Sequence, residues 1–215
     1  MPAPDGRSGP PPVSLDLIPT QLLLPRVLRI ALIAIAVGVV VGVLVWLVAP
    51  LWAAVFVGAL IAVPPALGAF AASRRHLRLD GTVLTAGGLL RDRTVELKHL
   101  AGVEVLVRVA RVSQVVLRVN DGDHSLVSVP LALYANGGGR ELEILALRKL
   151  ADAFAASELA SAAAVSSVLV EQLRAEARGA ELGERPLYRA IVLARDAGRV
   201  PQTTLTDHEV AALVD

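Results

Sequence analysis

The sequence predicts a membrane-crossing α-helical hairpin followed by a water-solvated α+β domain, in which antiparallel strands are capped by a helix. Three observations predict it. Residues 30–73 contain no Asp, Glu, Lys, Arg or His. Beyond residue 75 short apolar alternations punctuated by turn residues take over, the period of strands with one buried face. After residues 136–139, Asn-Gly-Gly-Gly, the apolar period lengthens to that of a helix.

The first element is the hairpin. A chain that is 54% hydrophobic but 3% aromatic concentrates its apolar excess in this block. At 1.5 Å rise per residue, the 43 residues 30–72 would extend about 65 Å, roughly twice a hydrocarbon core of ~30 Å. Two spans use the block, residues 30–48 and 51–72, with Ala49-Pro50 between them, where proline's missing N–H favours a helix end. Trp46 and Trp52 flank this turn as interfacial anchors. Arg26 and Arg29 precede the first span, and Arg74, Arg75 and Arg78 follow the second. Positive flanks stay inside, so both termini are expected in the cytoplasm of an inner-membrane protein, and these arginines are expected to contact anionic headgroups.

Small residues recur every fourth position, Ala34, Gly38 and Gly42 in the first span and Ala54, Gly58 and Ala62 in the second. Such ribbons let backbones approach closely in lipid. Two readings stand: packing within the hairpin, or a dimer face between chains at Gly38 and Gly42. Pro64-Pro65 predicts a kinked second span, since a helix ending at Val63 would be too short to cross. A signal peptide fits poorly, because a second apolar run follows the first directly.

Residues 1–25 read as a tail, rich at its start in proline and glycine and offering little to bury. Residues 26–73 are the hairpin, 74–156 the strand domain with its capping helix, and 157–215 a helical region. Strands are expected over 76–79, 82–85, 90–97, 103–109, 114–119 and 125–129, with hairpin turns at Asp80-Gly81 and at residues 120–123. A helix is expected over 140–156, with Leu142, Leu145, Leu147, Leu150, Ala151 and Phe154 as its apolar face. Further helices are expected over 158–178, over 186–197 and after Thr206, where Thr206 and Glu209 have capping-box spacing. Leu187, Ala190, Ile191 and Ala194 share a face that must dock on the strand domain or on a second subunit.

The runs "LRLDGTVLTAGGLLRDRTVELKHLAGVEV" and "VVLRVNDGDHSLVSVPL", followed by the helix, resemble the bacterial pleckstrin-homology-like domains found after transmembrane hairpins. The resemblance covers about residues 75–156. It implies a small antiparallel barrel or sandwich closed by a helix, acting as a binding or assembly module. Lipid-binding eukaryotic relatives place basic residues around a roomy first hairpin loop, whereas Asp80-Gly81 is tight and acidic. Phe154 would stand in for the tryptophan usual in their capping helix.

Motifs of chemistry are sparse. Cysteine is absent, which excludes thiolate ligands and a cysteine nucleophile. The four histidines, His76, His99, His124 and His208, are scattered, and His208 lacks the second histidine one turn on that a zincin helix needs. Residues 120–125, Asn-Asp-Gly-Asp-His-Ser, lack the offsets of a calcium loop. Residues 136–143 could cradle an anion with Arg140, but read more simply as a connector. Beyond Ser73 the chain has 18 Lys+Arg and 18 Asp+Glu, so no broad basic surface suggests nucleic acid.

No metal, cofactor or catalytic residue is therefore expected. The expected function is a membrane-tethered, non-catalytic scaffold or regulatory protein whose partners are the bilayer and either a membrane protein or a second copy. The alternative is a subunit or accessory of a membrane transporter.

Overall fold

A computed structural model of the chain describes residues 12–18, 20–74, 76–88, 92–122, 126–135 and 137–214. It divides into two compact units. One comprises residues 18–76 and 87–91, and the other residues 1–17, 77–86 and 92–215. The hairpin is thus a sequence insertion into the larger unit.

The smaller unit holds α1 (Thr20–Trp46) and α2 (Leu51–Arg74). Their apolar spans, Leu24–Trp46 and Leu51–Ala71, are 23 and 21 residues long. At 1.5 Å per residue these reach about 35 and 32 Å, enough to cross a hydrocarbon core. The turn falls at the expected place. The α1 end is closed by Ala49 N–H donating to Val45 O at 2.8 Å, and Pro50 O opens α2 by accepting from Ala53 N–H at 2.9 Å. Pro64 and Pro65 lie inside α2, which continues through them to Arg74.

The larger unit begins earlier than the expected tail allows. β1 (Val13–Ser14) pairs antiparallel with β2 (Leu77–Asp80), and Leu15 and Leu17 are buried. The tail reading of residues 1–25 is therefore corrected for 13–17 and also for 20–25, which belong to α1, and residues 1–11 lie outside the described set. The cause is legible: Val13, Leu15 and Leu17 alternate with Ser14 and Asp16, which puts three apolar side chains on one face of an extended segment. Asp16 Oδ1 then accepts from Leu77 N–H at 3.0 Å.

β1, β2, β3 (Val83–Ala86) and β4 (Arg93–Glu96) form one antiparallel sheet in sequence order. A second sheet has the order β8-β7-β6-β5-β9, from β5 (Gly102–Arg108), β6 (Ser113–Asn120), β7 (Leu126–Ala135), β8 (Gly138–Glu141) and β9 (Gln202–Thr204). No closed barrel forms among the described strands, and the two sheets share one apolar core. Its composition follows the pleat: Val103, Val105 and Val107 of β5 are buried, while Glu104 and Arg108 are exposed.

β7 runs past its expected end at Val129. Pro130 has no N–H for the ladder, but the register with β6 shifts between Val115 and Val116, so that Val116 faces Pro130 and Val115 faces Ala132. A bulge here accommodates the missing donor, and pairing continues. The connector expected at residues 136–139 becomes a hairpin, with Gly137 at φ +77° and Ala135 opposite Gly138. Asn-Gly is a strong short hairpin signal because its residues tolerate positive φ. The helix expected from Arg140 accordingly starts four residues later.

That helix is α3 (Ile144–Ala155), with Ala146, Leu147, Leu150, Ala151, Ala153 and Phe154 turned inward. Leu145, expected on this face, is 52% exposed. It lies about 100° round the axis from Ala146, on the side shared with Arg148, Lys149 and Asp152. α4 (Ala160–Ala177), a 3-10 turn (Leu182–Glu184), α5 (Pro186–Asp196) and α6 (Asp207–Ala211) follow. Leu187, Ala190, Ile191 and Ala194 are all buried in the same core as the sheets, so the chain itself covers the face of α5. The strand region and the region after residue 157 thus fold as one unit.

Candidate functional site

Within the hairpin, the small residues of the two ribbons meet each other. A Cβ on Gly38 would lie 2.7 Å from Gly58 O, and one on Gly58 would lie 2.9 Å from Gly38 O. Backbone rather than side chain fills the space, so glycine is required at both positions. Gly42 faces Ala54 O, Ala62 lies against Gly38, Ala54 is 4% exposed, and Ala34 is half-buried. The ribbon is used inside one chain.

Beside it, nearer the turn, lies an apolar groove of about 410 Å³, lined among others by Val39, Val43, Trp46, Leu51 and Val55. Trp46 and Trp52 are 58% and 74% exposed. Arg26 and Arg29 are exposed on α1. Arg74 is exposed at the other end of α2, its guanidinium 5.1 Å from the centre of the Phe70 ring. Arg78 is exposed on β2, and Arg75 lies outside the described residues.

The larger unit contains a polar centre that sequence reasoning missed. Glu141, the last residue of β8, has a side chain only 8% exposed. Its Oε1 accepts from the Tyr134 hydroxyl at 2.6 Å. Its Oε2 accepts from Gln172 Nε2 at 2.8 Å and from Arg185 Nη1 at 2.7 Å. Gln172, fully buried on α4, accepts from Leu187 N–H at 3.2 Å through its own carbonyl. One carboxylate thus ties β7, β8, α4 and the start of α5 together.

Burial foremost, and then the hydrogen bond to Glu141, push the Tyr134 hydroxyl well above the usual phenol range, so it remains a donor. An ion pair this deep adds little net stability but is costly to break, because removing one partner strands the other charge. Arg140, Glu143, Glu176 and Ile144 join Glu141 and Arg185 around a cavity of about 410 Å³, and Glu176 Oε2 is buried without a hydrogen-bond partner.

The other singled-out residues serve local structure. Thr206 and Glu209 form the expected capping box, and Glu209 also takes a two-point contact from Arg199 at 2.7 and 3.0 Å. The Arg199 hydrogen bond and then the two bonds from Thr206 hold the Glu209 carboxyl at about 2. Asn120 Oδ1 accepts from Gly122 N–H in the turn after β6, whose residues 123–125 lie outside the described set. His99 lies 3.6 Å from Glu158 and His76 Nδ1 lies 3.0 Å from Arg74 O, while His124 is outside the described residues. Among the described residues no three His, Asp or Glu side chains are grouped to hold a metal.

Compared with protein families, curated proteins and solved structures, the chain matches none. What the geometry defines is two helices long and apolar enough to cross a membrane, joined in one chain to an α+β unit of two antiparallel sheets and packed helices.

Proposed function

We propose that this chain is a non-catalytic, membrane-tethered scaffold or regulatory protein of a bacterial inner membrane, with both termini and the larger unit in the cytoplasm. The observation that carries it is exposure. Only 11% and 6% of the two apolar windows are buried, although the larger unit closes a complete core without them. Helices serving as the core of a water-soluble fold would be covered; these leave Leu28, Ile30, Val39, Leu44, Phe56 and Leu60 more than half exposed, a surface that lipid stabilises and water does not. The arginines at the ends away from the turn support the inward orientation.

A pleckstrin-homology-like reading of the larger unit belongs to this proposal. It is supported by six strands consecutive in the chain, β2 to β7, divided between two antiparallel sheets, with α3 beyond them. β8 separates β7 from α3, and β9 and three further helices complete the core, so the resemblance concerns the strand frame. The tether would act by effective concentration, raising the apparent affinity of a weak module for neighbours in the same membrane. The transporter reading ranks second, because the groove between the helices is lined by apolar side chains and glycine, which offer a hydrated solute nothing polar.

The absence of cysteine makes the test direct. In intact spheroplasts, Val48→Cys should react with a membrane-impermeant maleimide added outside, and Arg178→Cys should react only after lysis. Reaction at position 178 before lysis overturns the orientation, and extraction of the chain by alkaline carbonate without detergent overturns the membrane reading. In-cell crosslinking from the larger unit should then recover a membrane partner, and crosslinking that recovers none removes the scaffold reading.

A further inference from the structure

We infer that the larger unit binds a phosphate-type oxyanion in a pocket formed where the β5–β6 turn, the adjoining ends of β7 and β8 and one face of α5 converge. The pocket measures about 80 Å³. One water needs about 10–15 Å³ of such space, so this one holds roughly five to eight water-sized atoms, the size of one tetrahedral oxyanion and far short of a nucleotide. Arg111, Arg195 and Tyr188 line it together with Ser113, Tyr134 and Ile191, and no carboxylate does.

The partners those three side chains lack carry the argument. Among the described residues neither guanidinium makes an ion pair or hydrogen bond, and the Tyr188 hydroxyl has no partner. Elsewhere in this unit Arg174, Arg178, Arg185 and Arg199 each take a glutamate, and Arg140, which takes none, lines a cavity that holds Glu141, Glu143 and Glu176. The other two cavities of the unit both contain acids, Glu141, Glu143 and Glu176 in one and Asp196 and Glu209 in the other. A cation in the last turn of α5 suits the helix dipole, which accounts for Arg195 alone. It does not account for Arg111, which comes from a different element to the same pocket.

The frame is fixed. Val109 N–H donates to Pro201 O at 2.8 Å beneath the β5–β6 turn, Ile191 anchors α5 at 0% exposure, and the Tyr188 and Tyr134 rings meet edge to face at 5.2 Å. Two arginines from separate elements, with a hydroxyl on the helix that carries one of them, suit a tetrahedral dianion better than a planar carboxylate, which one guanidinium fork satisfies. A phosphate monoester carries about −1.5 to −2 at neutral pH, matching the two positive charges. The group can be free phosphate or the headgroup of a phosphomonoester lipid. The inference is independent of the membrane reading, because every residue it uses lies in the water-solvated unit.

The test uses the full chain in phosphatidylcholine nanodiscs and equilibrium binding of radiolabelled inorganic phosphate at constant ionic strength set with chloride. One saturable site per chain is expected. Arg111→Gln and Arg195→Gln should each weaken it by about tenfold or more, and Arg148→Gln, an exposed arginine outside the pocket, should not. Arg111→Lys with Arg195→Lys keeps charge without the planar fork and should bind between the two extremes, which preserves the test should a glutamine variant misfold. A second arm adds phosphatidic acid to the nanodiscs. Reduced phosphate binding there assigns the site to the lipid headgroup, and unchanged binding assigns it to a soluble phosphate. No saturable binding to the wild type, or equal binding by wild type and the double glutamine variant, overturns the inference.

Discussion

The two units solve opposite problems with the same small and branched aliphatic residues. In the hairpin, apolar side chains point outward and the contact is made by backbone: Gly38 and Gly58 remove their side chains so that two helices touch. In the larger unit apolar side chains point inward, and the interior also holds charge, with Glu141 and Arg185 joined through Gln172 and Tyr134. Lipid gives helices no hydrophobic reason to associate, so close van der Waals approach decides the pairing. Water supplies that reason everywhere, so a polar network is free to decide which helix docks where. On the membrane reading proposed above, the difference in solvent explains the inversion.

The comparison is most easily broken at Glu141. Replacing it by alanine strands Arg185 and removes acceptors from Tyr134 and Gln172, and should cost about 3–5 kcal/mol. Both tyrosines lie in the larger unit and both tryptophans in the hairpin, so near-UV circular dichroism of the tyrosines should report the loss while tryptophan emission holds. A change below ~1 kcal/mol would mean that the network is incidental. Next in size, Ile191→Ala should cost about 2–5 kcal/mol through the cavity it leaves under α5, whereas Leu145→Ala, at an exposed site, should stay within about 0.5 kcal/mol. Equal effects would contradict the observed facing of α3 and α5.

In the hairpin, Gly38→Leu should force the helices apart at a cost of about 1–3 kcal/mol. In a chain otherwise free of cysteine, crosslinking between Gly42→Cys and Ala54→Cys should fall when Leu replaces Gly38, and an unchanged yield would put the ribbon's partner elsewhere. The smallest effect concerns Glu209. Its folded carboxyl is held at about 2, below the ordinary 4.5, so its contribution is present above 4.5 and is lost as pH falls toward 2. Amide exchange of α6 should accelerate over that window, modestly because water screens the pair. Glu209→Gln should flatten the change, and an unaltered pH profile in that variant would assign it to other groups.

Much of this was legible because it depends on short-range pattern. The turn at Ala49-Pro50, the capping box of Thr206 and Glu209 and the tight hairpin signalled by Asp80-Gly81, whose turn residues are Gly81 and Thr82 because Asp80 still pairs with Val83, each rest on a few adjacent residues with a direct physical reason. β1 is hard to read from the sequence although Val13, Leu15 and Leu17 alternate, because five informative residues follow directly on a proline-rich start. The Asn136-Gly137 signal is ambiguous in the sequence because the two glycines that follow give the stretch the composition of a connector. β9 spans three residues, and its place beside β5 is fixed by pairing and by Arg108 reaching Gln202, neither of which has a local signature. Glu141 looked like an ordinary exposed acid, because its partners lie 7, 31 and 44 residues away.

The sequence by itself determined that one stretch of the chain supplies two helices long and apolar enough to cross a membrane, because length and composition belong to the run and not to its packing. It also determined the period of each segment, since side-chain alternation is a property of the local backbone. Tertiary structure alone decided which polar groups meet. The pairing of Arg185 with Glu141, and the convergence of Arg111 and Arg195 on one pocket, depend on where separate elements end after the core has closed, and that is set by packing across the whole unit.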